Sequence, residues 1–441
     1  MVLTELLAIL CIVSFFVLLA IGFPVALTLA VSGLFWGYLG FGAGLFDLLP
    51  ARIYGVTANY TLIAIPLFVF MGVMLEKSKI ADDLMDVIGH LAGGLRGGLG
   101  IGIIIVGVLM GATTGIVGAT IVTLGLITLP ALMRRGYHLP TACGTICASG
   151  TLGQIIPPST ILILLADILG QSVGTLFAAA LFPGLVLSAI FCFYLFLLGI
   201  FRPSMVPPVA LQEREAMSRP ALLAATLRVA LPPIALVLAV LGSIIGGVAA
   251  PTEAASMGAL GSILVVVLAG RFNFAVLRET ALGTTRITAG MMFILICAQV
   301  FALAFRGLHG EQLVADLFTV VPGGVDGVLI FMMVLIFVLG FFIEWIEISY
   351  IVVPLFLPLL LNLNVDLVWL ASLIALNLQT SFLTPPFGWA LFYLRGVAPP
   401  EVPTLAIYKG VVPFIGLQLL ALVVLYIYPG LATWLPRAIG W

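Results

Sequence analysis

A chain of 441 residues with 63% hydrophobic and only 8% charged residues is no ordinary soluble domain, where charged residues run at roughly 25%. Long charge-free runs, such as those between Arg96 and Arg134 or Asp167 and Arg202, exceed the about 20 residues of one helical span, so the chain reads as an all-α polytopic membrane protein in a lipid bilayer. A net charge of −1 offers no basic face to phosphates, which excludes a nucleic-acid partner.

Residues 1–75 lack a basic region ahead of the first apolar run and read as retained N-terminal scaffold spans rather than a cleaved signal. The first repeat is expected over 76–200. It opens with an amphipathic surface helix in KIADDLMDVIGHLAGG (79–94) and continues into a helical hairpin over 97–133 whose GATTG tip (111–115) is small and polar. A broken span follows over 139–165, then a span over 174–200. The stretch 201–222 is the longest polar segment and the natural cytoplasmic linker. Scaffold spans are expected over 223–306, with crossings near 223–247, 252–270 and 283–306. The second repeat, 307–403, carries a surface helix in QLVADLFTVVPGG (312–324), a hairpin over 326–362 and a broken span over 366–393. A C-terminal span closes the chain over 404–441.

Two segments carry the same punctuation, GTLGQIIPPST at 150–160 and LQTSFLTPPFG at 378–388. Proline removes a backbone donor, so each Pro-Pro pair marks a helix that unwinds where hydrocarbon should lie. Pro130 precedes Pro157 by the same interval as Pro358 precedes Pro385, and one offset relates both pairs. Basic residues favour the cytoplasmic side, which places all Lys and Arg but Arg52, Arg306 and Arg437 inside and the N-terminus outside. Five crossings then separate the hairpins. An odd number inverts the second half, and inverted repeats place their binding site near the midplane.

Four motifs in order, LPALMRRGY at 129–137, GTLGQIIPPS at 150–159, APTEAA at 250–255 and LTPPFG at 383–388, give the chain its resemblance to the large membrane subunit of tripartite ATP-independent periplasmic (TRAP) transporters. The likeness covers nearly the whole length. It implies an elevator-type secondary transporter in the bacterial inner (cytoplasmic) membrane, in which a sodium gradient drives uptake of a small organic anion, a carboxylate such as a dicarboxylate or a 2-oxo or hydroxy acid. It also implies two partners, a separate small membrane subunit (DctQ-like) and a periplasmic substrate-binding protein. No cofactor is implied beyond sodium as coupling ion. The chain departs from the family pattern at four places: Gly115-Ile116-Val117 replaces a Gly-Ser-Ser tip, Gln154 stands for proline, Ser381 for glycine and Glu344 for Asp.

Sodium prefers oxygen ligands, which unwound carbonyls and hydroxyls can supply. The first-half candidates are Thr113, Thr114, Gly115, Gly150, Thr151 and Pro157; those of the second half are Gly340, Gln379, Thr380, Thr384 and Pro385. The rival reading of any one of them is a hydroxyl bonded back to its own helix, or a glycine that permits packing. Gln154, Ser159 and Ser381 are the candidate substrate residues. Glu344 and Glu347 are possible coupling acids, because an ionisable group at membrane depth is costly unless it works. If the second hairpin were two full spans, both acids would lie in an inside loop instead. Arg286 and Arg306 could add positive charge or merely anchor span ends, and Glu253 is expected to cap a helix. The five cysteines, Cys11, Cys143, Cys147, Cys192 and Cys297, lack paired spacing and read as packing residues.

The absence of a GxxxxGK[ST] loop disfavours an ATP-driven pump, and no acid has a spaced His or Cys partner as an intramembrane enzyme requires. A channel, and a sodium–anion symporter of the same repeat plan that needs no binding protein, remain the alternatives.

Overall fold

The computed structural model describes every residue except Met1, Gly93, 210–218, 320 and 321. The core of the expected linker therefore lies outside the described residues. All regular structure among the described residues is helical, as backbone in lipid requires when no barrel forms. Eight helices are long and apolar enough to cross a membrane singly, and one bent pair, Gly44–Thr57 with Thr61–Lys77, joins at 52°.

The repeat is visible helix by helix. Val117–Arg134 and Trp345–Asn362 have equal length and begin 228 positions apart, the spacing that also relates Leu139–Thr151 to Leu367–Leu383 at their starts. Gly136 and Asn364, one interval apart, both take left-handed backbone after the hairpins. The surface helices, Ile80–Ala92 and Gly310–Thr319, each follow a left-handed non-glycine residue, Lys79 and His309. Each is tied down by an arginine. Arg271 pairs with Asp83 at 2.7 Å and donates to the Ser78 and Lys79 carbonyls, while Arg306 pairs with Glu311 at 2.8 Å.

Both expected breaks are present. The first broken helix runs as Leu139–Thr151, a 3-10 turn at Leu152–Gln154, a turning non-helical stretch that ends extended at Ser159, then Thr160–Leu169. The second runs as Leu367–Leu383, a turn, then Trp389–Val397. Prolines without N–H groups interrupt the ladder and hold the preceding residue out of helical geometry; both Pro-Pro bonds are cis. From the first broken helix to the second surface helix the chain runs through five segments, that helix and four helices long and apolar enough to span, Val173–Phe201, Arg219–Ile245, Pro251–Leu268 and Phe274–Gly307. An odd number is what opposite orientation of the two halves requires.

Around this core the scaffold packs through small residues. Val25–Phe41 lies along Phe274–Gly307 so closely that a Cβ on Gly33 would stand 2.8 Å from the Phe301 backbone. Glu253 caps its helix as expected, accepting from the Ala250 N–H at 2.9 Å. The C-terminal helix Thr404–Ile427 packs into the repeat core against Leu139–Thr151, where Gly410 and Gly144 meet without room for a Cβ.

Candidate substrate and ion site

Four helices start at one cavity of about 260 Å³. Its lining includes the first turns of Val117–Arg134 (Val117, Gly118), Thr160–Leu169 (Thr160, Ile161), Trp345–Asn362 (Trp345, Ile346) and Trp389–Val397 (Trp389). The residues ahead of these helices are Ile116, Ser159, Glu344 and Gly388, and none caps its helix with a side-chain hydrogen bond. Each uncapped start leaves free N–H groups and about half a positive charge aimed at the cavity. The two hairpins and the two broken helices thus supply one N-terminus apiece, an arrangement that attracts anions.

The hairpins reach only to the depth of the breaks. Thr160, at the middle of the first broken helix, donates its hydroxyl to the Gly115 carbonyl at the first tip (3.2 Å). At the second tip, a Cβ on Gly340 would collide with the Ser381 hydroxyl beside the second break. Both tips thus lie beside the breaks, and Glu344 lines the cavity.

Gln154 is only 2% exposed, lines the cavity, and has no partner for either its amide nitrogen or its oxygen. Ser159 lines it too, but its hydroxyl donates across the break to the Gln154 carbonyl at 2.5 Å. Ser381 does not reach the cavity; it donates to the Leu378 carbonyl and packs against Gly340. Glu347 is buried in the first turn of its helix, outside the lining, with one carboxylate oxygen unpartnered. Arg286 lines the cavity from the scaffold helix Phe274–Gly307. Among the described residues neither Arg286 nor Glu344 has an ion-pair or side-chain hydrogen-bond partner. Arg306 is accounted for by Glu311.

The candidate ion ligands fall into three groups. Gly115 joins the first break through Thr160, whereas the side chains of Thr113 and Thr114 line a small cleft beside Glu76 and scaffold residues. Thr114 shares a hydroxyl contact with Thr120 (3.1 Å), and Thr113 donates to the Met110 carbonyl. Gly150 packs against Ile121. In the second half Thr380 and Thr384 donate in series to the carbonyls of Leu376 and Thr380, both at 2.8 Å. Hydroxyls that donate keep lone pairs for a cation. Pro157 and Pro385 stand in the two breaks, each followed by a second proline.

Thr151 and Gln379 come together across the repeat. They occupy equivalent positions, and the Gln379 amide approaches the Thr151 hydroxyl at 3.4 Å, which puts them on the axis relating the halves. Gln418 from the C-terminal helix reaches the same hydroxyl at 3.4 Å, and the amide oxygens of both glutamines are buried without partners.

A second cluster escaped sequence reasoning. Asp167 accepts from Asn59 Nδ2 (2.5 Å) and from the Tyr350 hydroxyl (2.8 Å), joining the first broken helix to the scaffold bend and the second hairpin. Its isolated charge between two apolar runs was the available signal.

A family model described as tripartite ATP-independent periplasmic transporter, DctM component, matches residues 12–431. The chain belongs to this family. TRAP large permeases similar to it include the C4-dicarboxylate protein of Pseudomonas aeruginosa, 29% identical over 89% of this chain and 90% of that one. The ectoine protein of Halomonas elongata is 28% identical over 95% of this chain and 96% of its own length. The sialic acid protein of Vibrio cholerae is 27% identical over 95% and 96%. Among solved structures, the Alcanivorax borkumensis YdaH transporter shares the fold, with a TM-score of 0.61 at 16% identity over 88% of each chain. The chain is thus a TRAP large permease subunit, a multi-pass membrane protein that serves solute transport.

Proposed function

We propose that this permease carries out sodium-coupled uptake of a small organic acid through the bacterial inner membrane, receiving the solute from a periplasmic binding protein and working beside a separate small membrane subunit. The observation that carries the reading is the convergence of four uncapped helix N-termini, with Arg286, on one cavity between the halves. A carboxylate meets free N–H donors there, with the Arg286 guanidinium beside them as a counter-charge. Oxygens at the two breaks, Gly115, Thr380 and Thr384 first among them, would hold sodium. Binding of ion and solute to the hairpins and breaks would let these elements move as one body past the scaffold, an elevator motion.

Reconstitution tests this. The permease with its small subunit is placed in proteoliposomes, and uptake is followed with and without binding protein, under a sodium or a proton gradient. Uptake that needs both binding protein and sodium is expected. Uptake indifferent to the binding protein overturns the tripartite reading, and uncoupled flux indicates a channel.

A further inference from the structure

The lining of the cavity carries both signs of charge, Arg286 and Glu344. Glu344 precedes one of its helices, and the repeat-equivalent residue, Ile116, precedes another, so an unpaired carboxylate faces the cavity from the second half only. Aromatic rings share the lining: Trp345 follows Glu344 directly, Phe382 and Trp389 come from the second broken helix, and the Tyr393 ring of that helix lies against Gly118 at a first-half helix start. Rings of this kind attract cations through their faces. Arg286 approaches from the scaffold, and the first-half helix starts at Val117 and Thr160 add their free N–H groups.

Gln154 supplies the second, independent observation. Its buried amide offers both a donor and an acceptor, neither of them used within the protein. Trp389 adds an unpartnered N–H donor. A solute that satisfies this lining must bring acceptors for Arg286, the helix starts, Gln154 Nε2 and Trp389, and donors for Gln154 Oε1 and Glu344. A dianion has acceptors only. It would leave the Gln154 oxygen unpaired and set a carboxylate against Glu344, and a buried acceptor without a donor is strongly disfavoured.

We propose that the solute accepted at this cavity is a zwitterion, a carboxylate joined to an N–H-bearing cationic group, and not a dianion; this deepens, and rests on, the reading of the cavity as the transport site. The carboxylate lies toward Arg286 and the first-half helix starts. The cationic group lies against Glu344 and the aromatic rings, with Gln154 bonded to both ends.

The test uses length-matched probes. β-Alanine is succinate with one carboxylate replaced by ammonium, and 4-aminobutyrate stands in the same relation to glutarate. The complete permease, with its small subunit, is titrated in sodium-containing buffer while tryptophan fluorescence is followed, since Trp345 and Trp389 line the cavity. At least one zwitterion is expected to bind about ten-fold more tightly than its matched dianion. Glu344→Gln is expected to remove that preference, and Arg286→Gln to weaken both classes. The proposal is overturned if the dianions bind as tightly as the zwitterions, if the preference survives Glu344→Gln, or if no zwitterion binds. Sodium-driven uptake in proteoliposomes separates the two levels of the account. If a dianion is taken up under a sodium gradient, the transport reading stands and the zwitterion is wrong; if sodium drives no uptake of any solute, the transport reading itself falls.

Discussion

The two helix breaks share their prolines and their spacing, yet the molecule treats them differently. The first, residues 150–160, is buried throughout; the second emerges, with Pro386 exposed and Phe387 46% exposed. Close to the first break, Gly111 meets Gly153 backbone to backbone, with 2.5 Å between an added Cβ and the Gly153 Cα. Close to the second, Gly340 meets the Ser381 side chain. The partner glycine is what admits serine there. One charge is also reversed between the halves. Asp167, at the end of the first broken helix, is held by Asn59 and Tyr350, whereas its repeat equivalent, Arg395, donates to the Val402 carbonyl. Arginine suits the negative end of a helix and aspartate does not, so Asp167 depends on its partners. Sequence symmetry therefore sets the shape of the two halves, and single substitutions give each its chemistry.

The contrast between the glycine contacts gives the largest expected effect. Gly111→Ala forces two backbones apart, at about 1–3 kcal/mol or more, and should lower the thermal midpoint by several degrees and abolish uptake. Gly340→Ala should also destabilise, but Gly340→Ala with Ser381→Gly should recover the wild-type midpoint. No second change at Gly153 can do the same for Gly111→Ala; recovery there would mean the halves are packed alike.

The Asp167 cluster comes next. Tyr350→Phe and Asn59→Ala each remove a hydrogen bond to a carboxylate, about 1.5–3 kcal/mol, and should couple in a double-mutant cycle of thermal midpoints. Strict additivity would show that Asp167 does not join them. Arg395→Gln, the second-half counterpart, should change the midpoint less than either.

Thr384→Val should raise the sodium concentration for half-maximal uptake about ten-fold, about 1.4 kcal/mol, with membrane insertion unchanged. An unaltered sodium curve would remove Thr384 from the ion site. The smallest effect belongs to the scaffold, where Glu253→Ala deletes an exposed cap and should lower stability by about 1 kcal/mol or less with transport intact. A loss of uptake in that variant would give Glu253 a role beyond capping.

Pro-Pro pairs and one repeated interval made both breaks and the repeat legible in the sequence, because proline acts locally and a repeat is a property of spacing; the expected inversion came from the placement of basic residues and the odd number of crossings. Gln154 and Glu344 stood out as departures from a family pattern. What stayed hidden depended on tertiary approach. Arg286 and Arg306 both looked like span ends, since the crossing was expected over 283–306; the helix runs the 34 residues Phe274–Gly307, longer than a bilayer requires, which brings Arg286 to the cavity. Gln418 meets Thr151 from 267 positions away, and Asp167 meets Tyr350 from 183. No periodicity announces such pairs. The approach of the first hairpin tip to the first break likewise needed the Thr160–Gly115 contact to show it.

In the proposed transport cycle one cavity, bounded by both hairpin tips and both breaks, opens alternately to the two sides of the membrane. Ile116 lines that cavity at the first tip and is half-buried. With the five native cysteines replaced, Ile116→Cys can be probed in oriented proteoliposomes by a membrane-impermeant thiol reagent added to one side at a time. The account predicts labelling from either side in turn, with sodium and solute shifting the balance between sides and protecting the thiol when bound together. Simultaneous, undiminished labelling from both sides would mean a continuous pore, and no labelling from either would mean that the cavity is not the transport path.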